Sequence, residues 1–152
     1  MVAGRSASGL APDTALERNT EIQMLDYARQ RAIKALRAAR TTVLATTGPD
    51  GVQASEFPCE AIDLDLYLLV PQTSDHLFNL EQDGRVALVT DGWELRGKGR
   101  ALSRGEEPSE LSLLHAAGAE MHVLVKVEAS QIQIRRQDGW GPTETIDVGA
   151  SR

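Results

Sequence analysis

The sequence predicts a mainly-β protein: a small, closed, antiparallel barrel of six to seven strands, with an N-terminal helix and short covering helices. Three observations carry this reading. Apolar spacing changes from helical to period two at Arg40. The turns Gly48-Pro49-Asp50-Gly51 and Asp91-Gly92 are short enough to join neighbouring strands as hairpins. The helix-forming stretches are too few to cover both faces of an open sheet, which favours closure.

Thr14 to Ala39 repeats apolar residues at threes and fours (Ile22, Leu25, Ala32, Leu36 and Ala39), with Pro12 and Asp13 as a start signal and Asn19-Thr20 as an available break. Thr41 to Thr47 is β-rich. Val52 to Ile62 follows the first turn, with Pro58 marking an edge or bend. Leu64 to Val70 is apolar on both parities, which predicts burial on both faces and leaves apolar surface for a second subunit. Ser74 caps a short helix to Gln82 that Asp83-Gly84 ends. Arg85 to Thr90 and Trp93 to Leu102 flank the second hairpin turn. On the latter strand Gly97 and Gly99 share a parity with Trp93 and Leu95, so another backbone or a ligand is expected close by.

Glu106 to Ala117 is read as a second short helix with Leu111 and Leu114 inward. Val123, Val125 and Val127 then alternate, and the parity switches before Ile132 and Ile134. One inserted residue, a β-bulge near Ala129-Ser130, keeps both sets facing the core. Thr143 to Val148 is a final strand or a tail.

The chain has 152 residues, enough for one core, expected over residues 14–148 between a disordered lead-in (1–13) and a tail (149–152). Aromatic residues are 4%, so the core rests on Leu, Val, Ile and Ala. A net charge of -6 argues against nucleic-acid and anionic-membrane partners. With Cys59 the one cysteine, no internal disulfide forms, and a cytoplasmic protein is expected. No secretory signal and no apolar run near the roughly 20 residues of a membrane span is present. Cys59 lies beside Glu60, which gives no reason for a lowered thiol pKa. His115 and His122 are too separated for a local metal motif, and no serine–histidine–acid set identifies catalytic residues.

The segments Leu44 to Gly51 (LATTGPDG), Thr73 to Leu80 (TSDHLFNL), Arg85 to Val89 (RVALV) and Gly97 to Ala101 (GKGRA) resemble, in order and spacing, motifs of the pyridoxamine 5'-phosphate oxidase-like, FMN-binding split-barrel family. The resemblance runs from roughly residue 30 to residue 136. It implies a split barrel and a homodimer with FMN between the subunits. It also implies a flavin-dependent oxidoreductase acting on a small molecule. The cofactor phosphate would meet the second strand and the start of the helix after the third, which points to Ser55, Thr73, Ser74 and His76. Arg96, Lys98 and Arg100 are candidate contacts for an anionic cofactor or substrate, and a solvated strand face is their alternative role. Trp140 either stacks on a ring system or anchors the tail. Two basic residues usual in that family are replaced, by Ser55 and Glu56 on the second strand and by His76 on the helix, with Asp75 adjacent. Weak FMN binding is therefore expected.

A haem-utilisation branch of the same fold offers a second resemblance, in His76-Leu77-Phe78-Asn79-Leu80, in Gly51 with Ser55, and in Gly139-Trp140-Gly141. It implies a haem or other tetrapyrrole ligand. A cofactor-free dimeric domain with a binding or regulatory role is the third reading.

Overall fold

The computed structural model describes residues 15–135 and 144–149. The expected lead-in, the Asp13 cap and the loop bearing Trp140 lie outside the described residues. Two units divide the chain, Met1–Arg31 and Ala32–Arg152, and the boundary falls inside helix α1 (Ala15–Ala38).

The available break at Asn19-Thr20 is not used. The Thr20 hydroxyl donates to the Leu16 carbonyl at 3.0 Å and is satisfied within the helix. In the first unit Arg31 lies 4.6 Å over the ring of Tyr27. Leu16, Ile22, Met24, Leu25 and Tyr27 are exposed there. In the second unit Ala32, Ile33 and Leu36 are buried, and Trp93 Nε1 donates to the Ala35 carbonyl at 3.1 Å.

Seven strands follow: β1 (Thr41–Gly48), β2 (Gly51–Ile62), β3 (Asp65–Pro71), β4 (Arg85–Val89), β5 (Trp93–Ala101), β6 (His122–Ile134) and β7 (Glu144–Asp147). Helix α2 (Asp75–Gln82) lies between β3 and β4. The sheet order is β3-β2-β1-β4-β5-β6-β7, every pairing is antiparallel, and β3 also pairs with β6. That last pairing closes six strands into a barrel, and β7 is an extra strand on β6. The final segment is thus a strand. Gly51 closes the first hairpin at φ +111°, a conformation that favours glycine. The second hairpin turns where Thr90 Oγ1 accepts from the N–H groups of Gly92 and Trp93.

Leu44, Leu66, Leu68, Leu88, Val125 and Ile132 are fully buried and make the interior. The bulge falls where the parity switch places it. Arg96 pairs with Gln131 and Gly97 with Ala129, so Ser130 is the unpaired residue, its hydroxyl donating to the Arg96 carbonyl at 3.0 Å. Gly97 is required by the bulged pairing of β5 with β6, because a Cβ there would run into the backbone of Glu128 and Ala129. Pro58 is tolerated because β2 pairs with β3 only from Cys59 onward, which leaves one edge of its first half unpaired.

The expected helix from Glu106 to Ala117 is absent. Leu113–His115 and Ala119–Met121 form single 3-10 turns instead. Pro108 cannot donate within a helix, and Gly105 turns the chain at φ +96°. The Glu60 carboxylate accepts the N–H groups of Ser112 at 2.9 Å and Leu113 at 3.0 Å, fixing a turn there. Leu111 still points inward, 1% exposed, into a second cluster with Tyr67, Leu69 and Leu124. Leu114 packs against it, half-buried. The two-faced burial of β3 is therefore met within this chain by the 102–121 segment, and it is no longer an argument for a second subunit.

Candidate functional site

Helix α2 packs against β1 and β5. Ser74 caps it, accepting from the His76 N–H at 3.2 Å. His76, Asn79 and Leu80 lie on one helical face and are buried. Two polar side chains on that face need partners. His76 Nδ1 lies 2.7 Å from Thr46 Oγ1, and Nε2 lies 3.0 Å from Ser55 Oγ. Asn79 Nδ2 donates to Thr46 Oγ1 at 3.0 Å and to Gln53 Oε1 at 2.6 Å. The Phe57 ring meets the imidazole edge-on, 5.4 Å between centroids. Burial lowers the His76 pKa from its ordinary 6.5, against a smaller upward pull from Asp75.

Both imidazole nitrogens are thereby occupied, one by a hydroxyl on β1 and one by a hydroxyl on β2, and which hydroxyl donates follows from the ring's tautomer.

Beside this network is a cleft of about 380 Å³ lined by Gln53, Ala54, Ser55, Ser74, Asp75 and His76. The structure thus brings Ser55, Ser74 and His76 together. Thr73 is exposed and outside the cleft lining. The cleft's one charge is the Asp75 carboxylate, so it does not fit a phosphate dianion.

A larger groove, about 740 Å³, crosses the outer face of β1, β4 and β5. That is within the range of small-molecule sites, roughly 300–1,000 Å³. Ala54, Ala45, Ala87 and Arg96 lie in one register row across β2, β1, β4 and β5. Small side chains on adjacent strands leave the trough. Arg96 and Lys98 line it and are exposed; Glu128 stands opposite Lys98 in the β5–β6 register, and Lys98 also helps to pull the Asp83 carboxyl down. Arg85 lines it too, but its guanidinium is held by Asp83, at 2.7 Å and 3.0 Å. That pairing pulls the Asp83 carboxyl down to about 2. Glu128 adds one negative charge to the wall. The trough thus joins an apolar floor to the cations Arg96 and Lys98 on one strand of its wall.

Thr46, Gln53 and Asn79 were not singled out from the sequence. Thr46 carries a signal, a polar residue on the inward parity of β1 with Thr42 and Leu44. Asn79 carries another, one turn beyond His76. Burial pushes the Cys59 thiol up to about 11, which makes it unreactive. Among the described residues no group of histidine, cysteine or acidic side chains is arranged to hold a metal, and no helix is long and apolar enough to cross a membrane.

This is the fold of the pyridoxamine 5'-phosphate oxidase-like split barrels. Among solved structures, the chain is similar to a protein related to general stress protein 26, of the pyridoxinephosphate oxidase family, from Clostridium acetobutylicum: TM-score 0.61, 12% identity, covering 86% of this chain and 98% of that one. It is similar to a FAD-binding protein from Mesorhizobium loti, with TM-score 0.54, 16% identity, 68% of this chain and 88% of that one. A heme binding protein from Mycobacterium smegmatis matches with TM-score 0.58 and 18% identity, over 80% of this chain and 57% of that one. No family model matches the sequence, and no curated protein matches it.

Proposed function

We propose that this protein binds FMN, or a closely similar flavin, in the groove over β1, β4 and β5, and works as a cytoplasmic flavin-dependent oxidoreductase on a small molecule. The observation that supports this is the groove itself, with its alanine floor and the exposed cations Arg96 and Lys98. The phosphate is assigned to that pair on β5, because the cleft at Ser55, Ser74 and His76 is neutral to acidic. Flavin, when bound, supplies hydride and electron transfer. The chain supplies a flat apolar wall and counter-charge. The alternative role of Trp140 in stacking on the ring stays part of the proposal. We further propose an isologous homodimer, in which a second copy covers the open trough.

Haem is the second reading, favoured by the similarity to a heme binding protein. No histidine lines the groove among the described residues, and both ring nitrogens of His76 are engaged. Flavin is therefore preferred.

Titration of FMN, followed by quenching of its fluorescence, tests the proposal. Saturable binding is expected, weakened in Arg96→Ala and Lys98→Ala by about tenfold to a hundredfold each, the worth of a charge-assisted hydrogen bond. Binding that both variants leave unchanged would refute the placement. No binding of FMN, with a Soret band on adding haemin, would favour the second reading. Binding of neither would favour a cofactor-free domain.

A further inference from the structure

We propose that the open edge of β2, from Gly51 to Glu56, binds an extended basic peptide, which adds to the sheet as a further strand. The ladder shows which backbone groups are available. β1 and β2 pair without a register shift from Gly48 with Gly51 to Thr41 with Pro58. One residue further on, the Cys59 N–H donates to the Arg40 carbonyl at 2.9 Å. Bonding alternates along an antiparallel pair, so Gln53, Ser55 and Phe57 also turn their N–H and C=O groups toward β1. Val52, Ala54 and Glu56 turn theirs the other way. β3 meets β2 only from Cys59 onward and does not reach them. Among the described residues no group bonds to the N–H or C=O of these three, and Gly51 to Glu56 are all exposed.

Such an edge is a template for another strand, and proteins blunt it with lysine, proline, a bulge or a covering segment. Pro58 is one such device, and it stands on the outward parity just past this stretch. Between Gly51 and Glu56 there is no lysine, no proline and no bulge. At Ala54 the edge opens into the cleft of about 380 Å³, whose other wall is Ser74, Asp75 and His76 at the start of α2. A strand laid along β2 would place its own N–H and C=O groups against those of Val52, Ala54 and Glu56.

The charges at this edge decide which kind of strand it takes. Glu56 lies on the edge itself, Asp75 on the far wall of the cleft and Asp50 in the turn before Gly51, and all are exposed. Glu56 accepts from the Thr41 hydroxyl at 3.0 Å, a bond that leaves its charge in place. No lysine or arginine lines the cleft. The chain's net charge of -6 adds a longer-range attraction for cations. A second copy suits the edge less well. Antiparallel self-pairing centred on Ala54 would gather the same carboxylates of both copies along one seam.

The probe is a blocked, fluorescein-labelled hexapeptide of alternating lysine and valine, with the glutamate–valine analogue as control. Fluorescence anisotropy is expected to show saturable binding of the lysine peptide, at least about tenfold tighter than that of the glutamate peptide. Ala54→Pro removes an outward N–H, leaves the β1 ladder its bonds and uses the parity that Pro58 already occupies. It is expected to weaken binding about tenfold, the worth of one hydrogen bond. No binding, equal binding of the two peptides, or undiminished binding by Ala54→Pro would overturn the proposal. Hydrogen exchange supplies a readout that needs no variant. With the lysine peptide bound, the amides of Val52, Ala54 and Glu56 are expected to gain about tenfold in protection, while those of Gln53 and Ser55, already bonded to β1, change little. Protection without that alternation, or none, would overturn the proposal. Light scattering distinguishes the other occupant. A mass that falls on Ala54→Pro would assign the edge to a second copy and overturn the proposal, whereas the homodimer over the groove predicts no change.

Discussion

Gly48 stands where any side chain would meet Asn79. A Cβ there would lie 2.6 Å from Asn79 Oδ1 and 3.0 Å from Cγ. Asn79 is 1% exposed and fixed by Thr46 and Gln53, so it has nowhere to yield. Gly48→Ala is expected to destabilise the fold by about 1–3 kcal/mol, measured by urea denaturation. Adding Asn79→Ala removes the collision, so the pair of changes should cost less than their sum. Strict additivity would show that the two residues do not touch. His76 gives a second prediction at this scale. The unfolded chain takes up the imidazole proton near pH 6.5, and the folded chain does so only at lower pH. Acid thus favours the unfolded chain. The His76 contribution is complete above pH 6.5 and is lost as pH falls below it. Urea midpoints should drop over that window in wild type and stay level in His76→Gln. Asp83, held down to about 2 by Arg85, titrates far below it.

Most strands were legible because they have one wet face and one dry face, so period two is written into the sequence, and β3 was legible as an apolar run buried on both faces. The bulge at Ser130 was legible for the same reason: only an extra residue reconciles Val127 with Ile132. The segment over the outer face of β3 was not. Its apolar residues, Leu111 and Leu114, fit a helix by spacing, but its shape is set by Glu60, a residue about fifty positions earlier in the chain. No local pattern records that contact. Leu111→Ala should nevertheless be costly, about 2–5 kcal/mol by urea denaturation, because the site is closed on all sides by Tyr67, Leu69 and Leu124. A loss under about 1 kcal/mol would mean that the segment collapses into the space and that its packing is loose.

At the scale of the molecule, closure of the barrel by β3 on β6 leaves no edge there, while the groove on the outer face of β1, β4 and β5 lies open. The proposed homodimer covers that groove. Light scattering at micromolar concentration should give twice the 16.5 kDa chain mass. A monomer mass would reject the dimer and leave the groove as a one-chain site. The sequence by itself determined the antiparallel barrel, its hairpins and its bulge, because periodicity and turn chemistry are local properties. It also marked Ser55, Ser74, His76, Arg96 and Lys98 as residues to watch. Only the tertiary structure decided what they touch. It buried His76 between the hydroxyls of Thr46 and Ser55, and it set Asp83 on Arg85 while Arg96 and Lys98 stayed exposed on the groove wall. Those outcomes depend on which groups closure brings within hydrogen-bond reach and on how much water it excludes from them, and neither is a property of any one segment of the chain.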